Sequence, residues 1–110
     1  MTTTQTTFDG HLDEVIITVH DTQVMIDEDN VPMIKGFVDQ LKDLNDELLR
    51  NLSNDDFELI RLYTIIHNAI CAVRTVAKGY AKGKVDVHTA ENVCASQRLI
   101  LLNVQQMLRK

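Results

Sequence analysis

From residue 34 to residue 52 the inward positions recur at alternating intervals of four and three: Ile34, Val38, Leu41, Asn45, Leu48 and Leu52. That period aligns them on one stripe of an α-helix and would scatter them over both faces of a strand. Phe37, Leu44 and Leu49 widen the stripe to the arc of a core-facing helix, while Asp39, Lys42, Asp43, Asp46, Glu47 and Arg50 fall opposite. A helix of this kind gains most of its stability by covering its apolar face, so the rest of the chain must supply the cover.

Turn signals divide that remainder. Asp29-Asn30-Val31-Pro32 offers cap residues and then the only proline, suited to a first helical turn and disruptive inside a helix. Asn51 to Asp56 closes one helix and opens another, with Ser53 as the expected cap and Asp55 and Asp56 at the positive end of the dipole. Gly79 and Gly83 are expected to loosen the end of the third segment, and Asp86 to Thr89 starts the fourth. The segments expected are about 11 to 28, 32 to 52, 54 to 82 and 88 to 109, joined without a long linker.

In the third segment Leu59, Leu62, Tyr63, Ile66, Ala69, Ile70, Val73, Val76, Ala77 and Tyr80 share one broad face, with Arg61, Thr64, His67, Asn68, Arg74, Thr75 and Lys78 on the other. In the fourth, Ala90, Val93, Cys94, Ile100, Leu101, Val104, Met107 and Leu108 align, and Leu99 and Leu102 fall away from them. A second apolar surface on so short a helix needs another element or another chain to cover it.

The first segment admits two readings. As a helix it aligns Leu12, Val15, Ile16, Val19 and Ile26. As strands, the β-branched run Val15 to Val19, a turn at His20 to Gln23 and Val24 to Ile26 form a hairpin. The expected fold is therefore all-α, a four-helix bundle, with an N-terminal β-hairpin followed by three helices as the alternative. Residues 1–7, five threonines with Met1 and Gln5, are expected to be a disordered tail on a single helical domain over 8–110.

Without a basic leader or an apolar run near the roughly 18 residues of a membrane span, a cytoplasmic protein is expected, with Cys71 and Cys94 reduced. The net charge of −5 over 110 residues speaks against general nucleic-acid or membrane binding. That charge is unevenly laid out. Residues 1–58 hold 14 acids against Lys35, Lys42 and Arg50, a net of −11, whereas residues 59–85 have no acid and carry Arg61, Arg74, Lys78, Lys82 and Lys84. The basic helix either neutralises its acidic neighbours within one molecule or presents a patch to an anionic partner.

Phosphate loops, a nucleophile elbow, H-E-x-x-H and C-x-x-C are all missing, so neither an enzyme nor a cofactor is expected. Glu-x-x-His is missing too, and no metal site is expected. An acidic four-helix chain with a mid-helix His67 resembles a histidine phosphotransfer domain in outline. Asn68-Ala69-Ile70-Cys71 follows here, in place of the Lys and Gly of such families, and His67 reads as a solvated side chain. Cys71 sits at the edge of the polar face carrying His67 and Arg74, where a neighbouring cation favours the thiolate. Asn45 interrupts an apolar seam, either as an edge residue bonded to water or to a neighbouring backbone group, or as register-fixing asparagines do in coiled coils.

These observations lead to an expected non-enzymatic protein-binding domain, an adaptor, chaperone or inhibitor acting through a protein partner and as a homo-oligomer. Asn45, Leu99 and Leu102 are its expected interface. The alternative is a module capturing a nucleotide or other anionic small molecule on Arg74, Lys78, Tyr80, Lys82 and Lys84.

Overall fold

The computed structural model describes residues 3–109, and the side chains of residues 6–109. Four helices follow one another: α1 (Thr3–Asp27), α2 (Val31–Arg50), α3 (Phe57–Ala81) and α4 (Val87–Leu108). Each packs against its two neighbours in a closed square, α1 against α2 and α4, and α3 against the same two, with a weaker contact of α1 and α3 across the diagonal. This is the four-helix bundle, 43 × 22 × 17 Å.

The ambiguous first segment is helical. Its buried residues, Phe8, Leu12, Val15, Ile16, Val19 and Ile26, recur along one helical face, while Ile17 between them is 58% exposed. The two buried threonines on this face satisfy their hydroxyls within the helix, Thr18 Oγ1 donating to the Glu14 carbonyl and Thr22 Oγ1 to the Thr18 carbonyl, both at 2.7 Å. The expected tail needs a correction: Met1 and Thr2 lie outside the described residues, and from Thr3 the backbone is already helical. Fully buried Phe8 anchors this early start against the core.

The α2 stripe buries as its period requires, with Ile34, Val38, Leu41, Leu44 and Leu48 inside. Leu49, at the edge of the arc, is 54% exposed. Asn30 caps the helix by accepting from the Met33 N–H, with Pro32 in the first turn. At α3 the cap position is Asp56 rather than Ser53, whose carbonyl instead accepts from the Asp56 N–H at 3.2 Å to close the preceding turn. At α4, Asp86 Oδ1 accepts from the Thr89 N–H at 2.7 Å, and this bond holds the Asp86 carboxyl below its usual range.

Among the described residues α3 is the helix long and apolar enough to cross a membrane, contrary to the sequence expectation. Here that apolar face is spent on the core: Leu59, Leu62, Ile66, Ala69, Ile70, Val73 and Ala77 are buried. Gly79 in its last turn and Gly83 just beyond do not fray the chain. Gly79 accepts at its carbonyl from the Lys84 and Val85 N–H groups, and Gly83 takes φ +74°, so α3 ends in a closed turn.

Candidate functional site

The polar residue in the α2 seam meets a partner across the helix pair. Asn45 Oδ1 lies 3.2 Å from His67 Nδ1, and on the far side of the ring His67 Nε2 lies 3.5 Å from Cys71 Sγ. An amide oxygen only accepts, so Nδ1 carries the proton and Nε2 turns its lone pair toward the thiol. Spacing of four on α3 sets His67 beneath Cys71, while α2 supplies Asn45 opposite them. Tyr63, one turn earlier, sets its ring 5.8 Å from the imidazole. Burial pushes the Tyr63 hydroxyl above its ordinary pKa, outweighing the opposing effect of nearby Asn45. His67 is half-buried and Cys71 is exposed, so the row reaches from the seam to the surface. His67 is thus not the solvated side chain expected, and Asn45 is engaged inside one molecule.

Further along the same helix pair, Leu49, Leu52, Ser53, Asn54, Ile60, Tyr63 and Thr64 line a surface cleft of about 370 Å³. Toward the other end a smaller cleft of about 210 Å³ lies between Ile34, Lys35, Val38 and Asp39 of α2 and Ala77, Lys78 and Ala81 of α3.

The basic tract is divided by its partners. Arg74 Nε donates to the Val38 carbonyl at 3.1 Å, tying the side chain to α2, and the Tyr80 hydroxyl donates to Asp29 Oδ1 at 2.6 Å. Lys78, Lys82 and Lys84 stay exposed and, among the described residues, form no ion pair. The ion pairs present are Glu47–Arg50, Glu58–Arg61, His20–Asp21 and Arg109 with Asp9 and Asp13. None joins an acid of α1 or α2 to a base of α3.

Of the two expected interface leucines, Leu99 is 63% exposed, whereas Leu102 is partly buried against the core. Cys94 is fully buried, and burial raises its thiol to about 11. The His67–Cys71 pair was visible in the sequence as a spacing of four; its partner Asn45, 22 residues before His67, was visible only as a break in the α2 seam. Comparison of the chain with protein-family models, with curated proteins and with solved structures finds no match.

Proposed function

We propose that the chain is a non-enzymatic helical docking protein of the adaptor or inhibitor kind, and that its first partner is a second copy of itself. The observation carrying this reading is the segregated charge that the fold leaves unpaired. Exposed Asp39, Asp43 and Asp46 form an acidic stripe along α2, exposed Lys78 and Lys82 stand at and just past the end of α3, and Asp39 and Lys78 border one cleft without forming an ion pair. A two-fold pairing of the α2–α3 faces lays the acidic helix of each copy over the basic helix of the other and satisfies both at once. Capture of a small anion on the basic tract is left with Lys78, Lys82 and Lys84, since Arg74 and Tyr80 are engaged within the chain.

Sedimentation in the presence of a chelator tests the reading. At about 20 mM salt the species should have twice the 12.5 kDa chain mass, and it should dissociate as salt approaches about 500 mM and screening shortens. Reversing Asp39, Asp43 and Asp46 to Lys should give a monomer, and adding Lys78→Glu and Lys82→Glu should restore the dimer. A monomer under all these conditions overturns the reading. Binding of a nucleotide by the parent, lost with Lys78, Lys82 and Lys84 changed to Gln, would favour anion capture instead.

A further inference from the structure

The geometry points to half of a zinc site on α3, formed by Cys71 Sγ and His67 Nε2 and completed by the same pair from a second copy of the chain. Zinc binds thiolate at about 2.3 Å and imidazole at about 2.05 Å, and a tetrahedral angle between those bonds sets sulfur and nitrogen about 3.5 Å apart. The separation found is 3.5 Å. Both ligands are poised for it: the thiol is exposed, and the Nε2 lone pair faces it because Asn45 holds the proton on Nδ1. A hydrogen bond from the far ring nitrogen of a ligating histidine is what fixes such a ring in metal sites. The Tyr63 ring lies 5.8 Å from the imidazole one turn below, so Tyr63 and Asn45 flank His67 on the sides away from the thiol.

Acyl transfer by the same three groups lacks an essential part. Cys71 lies in the middle of α3, where the backbone N–H groups are spent on helix bonds and none is free to hold an oxyanion. A metal needs no such donor. Among the described residues no third His, Cys, Asp or Glu joins the pair, so one chain offers two of the four ligands zinc takes. Because the pair lies on the α2–α3 face, the inference rests on the two-fold pairing proposed above, and the partner's Cys71 and the partner's His67 close a Cys2His2 site. Each thiol gives its proton to solvent on binding, two protons per metal.

Cobalt(II) alone, added to the reduced, chelator-free full chain, is the probe. Uptake should stop at one ion per two chains, with thiolate-to-cobalt charge transfer and tetrahedral ligand-field bands, a doubled mass, and bleaching by zinc. Cys71→Ser and His67→Ala should abolish those bands, Cys94→Ala should keep them, and Asn45→Ala should keep them with affinity lowered about 10- to 100-fold. No uptake, uptake of one ion per monomer, or bands that survive in Cys71→Ser would overturn the site. A chain that is monomeric in chelator at low salt, yet takes one tetrahedral cobalt per two chains, would uphold the site and overturn the charge-driven pairing.

Discussion

The Tyr80 hydroxyl donates to Asp29 Oδ1 at 2.6 Å across 51 residues, joining the last turn of α3 to the turn between α1 and α2. Among the described residues Asp29 is the non-glycine one with a left-handed backbone, φ 55°, so the bond holds a conformation that most side chains resist. The bond to Asp29 raises the Tyr80 pKa above 10. Since ionisation is disfavoured in the folded state, the bond's contribution is complete below pH 10 and fades as pH climbs through the raised value. Asp29→Asn should bring the Tyr80 phenolate transition, followed by ultraviolet absorbance, to lower pH. Asp29→Gly relaxes the backbone while removing the bond, so it should lower the transition equally but cost less stability than Asp29→Ala.

Cys94 and Cys71 should differ sharply in reactivity. A disulfide reagent should label one thiol in the folded protein, Cys71, and both in denaturant, because Cys94 is fully buried. Burial raises Cys94 from 9.0 to about 11, so the unfolded chain loses that proton first. Stability should hold below pH 9 and fall between pH 9 and about 11, by an amount of order 2 kcal/mol. Cys94→Ala should flatten that interval in denaturant titrations, leaving the slope that the tyrosines add above pH 10.

How much of this could be read beforehand depended on range. The α2 helix follows from its own period, and the caps at Asn30 and Asp86 from residue types a few positions away. The early start of α1 did not follow, because the sequence from Thr3 to Thr7 offers no apolar residue and the anchor is Phe8 inside the bundle. The basic tract misled for the same reason. Arg74 and Tyr80 are close to the lysines in sequence, but their partners are Val38 and Asp29, which only the packed helices bring near. Conversely, Asn45 showed in the sequence only as a polar break in the α2 seam, open to an edge or a register role, and its partner is His67 on the next helix.

Leu99 and Leu41 separate surface from core. Leu41 is fully buried, and Leu41→Ala should cost about 2–5 kcal/mol in chemical unfolding. Leu99→Ser, at a position 63% exposed, should stay within about 0.5 kcal/mol of the parent. It should also leave the sedimenting mass unchanged. A fall to monomer in Leu99→Ser alone would move the interface from the α2–α3 face to α4.

Gly79 is constrained by space rather than by dihedral angle. A Cβ there would come within 2.5 Å of Val85 Cγ2, inside any tolerable contact, because the turn brings Val85 back onto the last turn of α3. Gly79→Ala should therefore destabilise by about 1–3 kcal/mol, although alanine is the better helix former by about 1 kcal/mol. Val85→Ala removes the methyl that would clash, so the double variant should recover most of the loss, and a double-mutant cycle by thermal unfolding should show a clear coupling. Gly83→Ala meets no atom within 4 Å, yet its φ of +74° should still cost about 1 kcal/mol, and Val85→Ala should not repair it. Equal behaviour of the two glycine variants toward Val85→Ala would show that the close approach does not govern Gly79.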